Sequence, residues 1–120
     1  MNPKKSISNP LSILLRLVGA KWKFLIIQEL LINGLRFNEL KKSLGCTAKV
    51  LTSCLREMEQ DGLVIREITE GKSPKTEYYL TDIGYTLRPV IESMQKWGKE
   101  YKKLKKLMEK YENETKIFGT

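Results

Sequence analysis

Apolar residues recur along this chain with a helical period over most of its length. The first such run follows Asn9-Pro10, a pair that starts a helix with Asn as N-cap and Pro in the first helical position. It places Leu11, Leu14, Leu15 and Val18 on one side and stops at Gly19. A second helix is predicted over Lys21–Ile32, with Trp22, Leu25, Ile26 and Leu30 in phase and Asn33-Gly34 as its terminator. Phe37, Leu40 and Leu44 mark a short third helix, and Gly45 a turn. Thr47 then caps a fourth helix over about 48–60, whose stripe is Leu51, Leu55 and Met58 and which Asp61-Gly62 closes. Here the period changes. Leu63–Thr69 is a β-branched run, Glu70–Lys75 is turn-rich, and Thr76–Leu80 alternates, with Tyr78 and Leu80 on one face and Tyr79 on the other. Thr81-Asp82 opens a last, long helix, which Pro89 is expected to bend. Met94, Trp97, Tyr101, Leu104, Met108 and Tyr111 follow in steps of three and four, a heptad-like seam flanked by lysines.

Two short helices about a tight turn, a hairpin and a capped helix make up the plan of a winged helix-turn-helix, which sets one helix in a DNA groove and a hairpin beside it. The predicted fold is therefore mainly α with a small β-hairpin, plus an N-terminal helix and a long C-terminal helix for dimerisation. Residues 1–8 are read as a flexible tail and 9–98 as the domain, with a reading helix at about 48–60 and a wing at about 63–80. Residues 99–113 extend the dimerisation helix, which frays after Asn113, and 114–120 form a second flexible tail.

Composition sharpens this reading. The 120 residues are 41% hydrophobic, enough for one globular core. The net charge of +8 favours an anionic partner. It is uneven: residues 1–61 carry 10 basic and 5 acidic side chains, residues 62–90 four of each, and residues 91–120 eight and five. No run approaches the roughly 18–20 apolar residues of a membrane span. Two cysteines without an export signal suit a reducing compartment, so a cytoplasmic, nucleoid-associated location is expected. Histidine, the commonest general base and metal ligand, is absent, as are a phosphate-cradling glycine loop, a nucleophile elbow and a CxxC. No enzyme is expected, and no cofactor or metal.

With Leu51, Leu55 and Met58 turned inward, about 100° per residue puts Lys49, Thr52, Ser53, Arg56 and Gln60 on the outer face of the fourth helix. These side chains bond phosphates and base edges. Thr47 stands at the helix entry. Glu57, Glu59 and Asp61 gather at the far end, the asymmetry wanted by a helix entering a groove by its N-terminus. Arg36, Asn38, Lys41 and Lys42 suit phosphate contacts that set register. Lys72 and Lys75 at the hairpin tip suit the neighbouring groove or backbone, and Lys21 and Lys23 are weaker candidates. Cys46, just before a helix N-terminus and near Lys49, is either a redox-sensitive thiol or a small apolar filler of the turn. Cys54 borders the core, too far along the chain for an easy disulfide with Cys46.

Several segments in order carry a family likeness: Gly19-Ala20-Lys21-Trp22-Lys23, Leu35–Leu40, Leu51-Thr52, Leu55–Val64, Glu77–Gly84, Leu87–Val90 and Trp97-Gly98. Over about residues 10–98 the chain resembles the HxlR-type transcriptional regulators, which are MarR-like. The resemblance implies a winged helix-turn-helix homodimer on short, roughly palindromic double-stranded DNA, joined through the first and last helices. It casts Leu11, Leu14 and Leu15, and the seam of Val90, Met94, Trp97, Tyr101, Leu104 and Met108, as the dimer interface. Many members carry a cysteine before the proline that opens the first helix; here that residue is Asn9. The turn before the reading helix also looks about one residue shorter than is common. The function expected is sequence-specific regulation of transcription on an inverted repeat, with a small-molecule effector left open. The alternative is a non-specific architectural DNA-binding protein, or a protein-interaction module on the same fold.

Overall fold

The computed structural model describes residues 9–117. Residues 1–8 and 118–120, both assigned to tails from the sequence, lie outside the described residues. The elements are α1 (Pro10–Val18), α2 (Lys21–Ile32), β1 (Leu35–Arg36), α3 (Phe37–Leu44), α4 (Ala48–Gln60), β2 (Val64–Thr69), β3 (Lys75–Leu80), α5 (Asp82–Tyr85) and α6 (Arg88–Ile117). The chain divides into two compact units, residues 1–88 and 89–120.

In the first unit the helix ends are made as the residues dictate. The Asn9 side chain accepts from the Leu11 N–H at 2.9 Å, and Thr47 Oγ1 accepts from the Val50 N–H at 3.2 Å. Glu39 accepts from the Arg36 N–H at 2.9 Å and so ties down the entry to α3. Gly45, at φ 71°, ends α3 in the left-handed conformation, and its N–H returns to the Lys41 carbonyl at 2.9 Å. That tight stop turns the chain directly into α4.

The core forms where α2, α3 and α4 pack together and the sheet closes over them. Ile26, Ile27, Leu30, Leu40, Leu51 and Met58 are wholly inaccessible to solvent. Leu63, Val64, Tyr78 and Leu80 complete the core from the sheet side. Tyr78 and Leu80 point inward, as the alternation predicts. The Tyr78 hydroxyl is pushed above its ordinary pKa, first by burial and then by the nearby Glu59 carboxylate.

Three features depart from the sequence reading. First, the sheet has three strands in the order β1-β3-β2, all antiparallel. Leu35 pairs with Tyr78 and Arg36 with Glu77, so a two-residue strand covers the free edge of the hairpin. An isolated hairpin is marginal, and this third strand helps to fix it on the helices. Second, Lys75 is the first residue of β3, opposite Thr69, and does not belong to the loop at the hairpin tip. Third, Pro89 does not bend one long helix. Proline lacks an N–H and its ring clashes with the carbonyl four residues earlier, here that of Tyr85. So α5 ends at Tyr85, and α6 begins at Arg88 with Pro89 in its first turn, where no intrahelical donor is needed. Thr81 caps α5 by accepting from the Gly84 N–H at 3.0 Å, and its hydroxyl donates to the Gly62 carbonyl at 2.6 Å. Gly84 lies so close to the Leu63 carbonyl that a β-carbon would collide with it.

In the second unit, α6 runs 30 residues, and its helical backbone continues to Ile117, past Asn113. Trp97 and Tyr101 stack one turn apart, with ring centroids 5.4 Å apart and planes 15° apart.

Candidate nucleic-acid interface

The outer face of α4 is a shallow groove lined by Lys49, Thr52, Ser53, Arg56, Glu57 and Gln60, with Ala48 at its start. Lys49, Ser53 and Arg56 are exposed and Thr52 is half-buried. This face exists because the opposite one is spent: Leu51 is inaccessible and Leu55 is 1% exposed. Thr47 is exposed, but its hydroxyl oxygen already accepts the cap hydrogen bond, which leaves its proton to offer.

The carboxylates on this helix are engaged from elsewhere in the fold. Lys23, reaching from α2, is only 7% exposed and forms an ion pair with Glu57. Arg66, on β2, bonds Glu59 through Nε at 2.8 Å. Among the described residues no carboxylate pairs with Lys41, Lys42, Lys49 or Arg56. The positive side chains of α3 and α4 are thus uncommitted while two acids on α4 are neutralised in place. Sequence reasoning missed this. Lys23, read there as a weak phosphate contact, is buried and paired, because the helical turn that carries Ile26 and Ile27 inward carries Lys23 with them.

The remaining residues fall into three neighbouring groups. Asn38, Lys41 and Lys42 line a groove with Gly45 and Cys46. Arg36 and Asn38 line a second with Lys75 and Glu77, where the start of α3 meets the end of β1. A cleft of about 230 Å³ between α4 and the sheet brings Thr52 and Arg56 together with Arg66, Glu59 and Tyr78. Lys72 lines none of these grooves and stands exposed in the loop between β2 and β3. Both cysteines are free thiols and 8% exposed. Burial pushes the Cys54 thiol up, the Lys23 ammonium opposing it.

Helix α1 exposes Leu11 and Leu15 at 61% and 53%, with Leu14 half-buried. On α6 Val90 is half-buried, and from Met94 onward the apolar seam is exposed: Met94 45%, Trp97 69%, Tyr101 51%, Leu104 57%, Met108 60%. No helix among the described residues is long and apolar enough to cross a membrane.

Comparison with known proteins places this geometry in a family. The sequence profile described as HxlR-like helix-turn-helix matches residues 17–106. The HTH-type transcriptional regulator YdeP of Bacillus subtilis strain 168 is 43% identical over 94 residues, 78% of this chain and 73% of that protein. YybR of the same strain, also an HTH-type transcriptional regulator, is 38% identical over 104 residues, 82% of this chain and 83% of that one. Among solved structures, the redox regulator HypR in its reduced form superposes with a TM-score of 0.75 at 36% identity, covering 80% of this chain and 96% of that one. A MarR-family transcriptional regulator from Enterococcus faecalis V583 gives 0.70 at 38% identity, covering 88% and 93%. A winged helix-turn-helix with an uncommitted basic face, matched by relatives over most of its length, leads to one assignment: the chain belongs to the HxlR-like helix-turn-helix family of DNA-binding transcriptional regulators.

Proposed function

We propose that the protein acts as a homodimer that reads a short inverted repeat and is not an enzyme. The observation that carries this reading is the outer face of α4, where Lys49, Thr52, Ser53 and Arg56 stand in one groove and, among the described residues, no carboxylate pairs with Lys49 or Arg56. Arg56 and Lys49 contact guanine or phosphate, and Thr52 and Ser53 contact base edges or phosphate. Arg36, Asn38, Lys41 and the Thr47 hydroxyl dock the phosphate backbone and set register. Lys72 and Lys75 hold the flanking groove from the wing. Residues 9–98 form the working domain and residues 99–113 of α6 extend it. Cys46 is a small apolar filler of the turn. The setting is the cytoplasm, on the nucleoid.

The exposed apolar residues of α1 and α6 support dimerisation, since a stripe of Met, Trp, Tyr and Leu at 45–69% exposure is what a second copy would cover. A two-fold pair presents two reading helices to successive major grooves about 34 Å apart.

The test is selection of bound genomic fragments by the purified full chain at about physiological salt, where non-specific contacts are partly screened. Enrichment of an inverted repeat with half-sites about one helical turn apart is expected. Arg56→Ala then relaxes the preference at one base pair by about 1–3 kcal/mol. Uniform recovery of fragments overturns specific reading and leaves the architectural role.

A further inference from the structure

The polar side of α6 carries an ordered charge pattern that reading an operator does not require. Lys96, Lys99, Lys103, Lys106 and Lys110 recur at intervals of three and four, a heptad repeat written in lysine, with Lys102 beside it. At about 100° per residue they form one stripe, roughly 160° round the helix from the Met94–Tyr111 seam. The stripe is about 21 Å long at a rise of about 1.5 Å per residue. Every one of these lysines is exposed, and among the described residues none is paired with a carboxylate. Glu92 and Glu114 stand at the two ends of the stripe, Glu100 lies between the stripe and the seam, Glu109 borders the stripe on its other side, and Glu112 lies beside the seam. A face that serves only solubility alternates its signs. Like charges three and four residues apart disfavour the helix that holds them; the flanking glutamates offset part of this, and an anion laid along the stripe would relieve the rest.

We propose that this stripe binds the phosphate backbone of duplex DNA, outside the bases read by α4. A straight row of charges about 5 Å apart, with no concavity, suits a linear polyanion and not a small phosphate ligand. A membrane surface is disfavoured by the same geometry: a helix resting its apolar face on lipid turns the opposite face to water, so these lysines would point away from the headgroups. The inference rests on the DNA-binding reading above, because a chain that already holds a duplex tethers α6 to it and so raises the local concentration of DNA phosphates. With the seam covered by a second copy, the stripe is the face of α6 left outward.

The experiment uses the full chain and a triple variant, Lys99→Gln, Lys103→Gln and Lys106→Gln. Binding to a mixed-sequence 60-base-pair duplex is measured against salt, with helix content and dimer mass recorded for each protein. Each lost phosphate contact reduces the slope of log K against log salt by about 0.9, so the variant's slope is expected to be shallower by about 2–3. Affinity near 0.1 M salt is expected to fall on the order of tenfold or more. The matching triple arginine variant keeps the charge and is expected to keep the wild-type slope. A folded glutamine variant with an unchanged slope overturns the proposal, as does loss of binding to phosphatidylglycerol vesicles without any loss on the duplex. Failure of specific reading is seen separately: the fragment selection enriches no repeat while the slope difference on mixed sequence stands.

Discussion

Helices α4 and α6 are written in the same code and meet opposite fates. Each carries an apolar stripe at steps of three and four and a basic, polar face away from it. On α4 the stripe is sealed: Leu51, Leu55 and Met58 are at most 1% exposed. On α6 Met94, Trp97, Tyr101, Leu104 and Met108 keep about half or more of their surface open. Periodicity announces that a face must be covered, and it does not say by what. For α4 the cover is α2 and the sheet, close in the same unit. For α6 the proposed cover is a second copy; on that proposal the same pattern yields a core in one helix and an association surface in the other.

The largest test of this contrast is a matched pair of truncations. Leu55→Ala should cost about 3 kcal/mol in urea unfolding, from lost burial and the cavity left behind. Leu104→Ala, measured at dilute protein where the chain is monomeric, should cost less than about 1 kcal/mol, because leucine and alanine are both strong helix formers. Equal losses would break the comparison. Next in size, Trp97→Ala should raise the dimer dissociation constant by about thirtyfold, roughly 2 kcal/mol, in sedimentation equilibrium. An unchanged constant would remove α6 from the interface.

A smaller effect separates the two partners of the ion pair that braces α4. Glu57→Gln leaves the Lys23 ammonium buried without its counter-charge and should cost about 1–2 kcal/mol, moderated because Glu57 itself is half-exposed. Lys23→Met replaces the buried charge by an apolar chain of similar length and should cost less. The reverse order would mean that Lys23 contributes mainly through its ammonium. The smallest effect is on pH. Burial holds the Cys54 and Tyr78 protons more tightly in the folded chain than in the unfolded one. Their contribution is complete below the ordinary thiol and phenol values and is lost as pH rises through the raised ones. Urea midpoints should therefore fall from about pH 9 upward, and Cys54→Ala should delay the onset.

Much of the fold was legible because its signals are local. Asn9-Pro10, Thr47 and Gly45 each act through their own backbone neighbours, so the starts of α1 and α4 and the stop of α3 are found where those residues stand. The alternation of Tyr78, Tyr79 and Leu80 reports a face of the sheet in the same way. β1 was not legible: two residues have no period, and Leu35-Arg36 becomes a strand only because the edge of β3 lies beside it. The break before Pro89 could have been read from the clash with the Tyr85 carbonyl and from the weak helix formers Gly84, Tyr85 and Thr86 ahead of it. Of the candidate site, the outer row of α4 followed from helical phase. What α4's own spacing could not report was Lys23 and Arg66 crossing over to Glu57 and Glu59, since each partner comes from another element.

By itself the sequence determined where most helices start and stop, which face of each is apolar, and that the outer faces of α3, α4 and α6 carry cations. These depend on side-chain chemistry over a turn or two. Only the tertiary structure decided which apolar faces are sealed, which carboxylates are neutralised, and which cations stay free. Those outcomes depend on which segments distant along the chain come within a few ångströms of one another, and no short-range pattern encodes that distance.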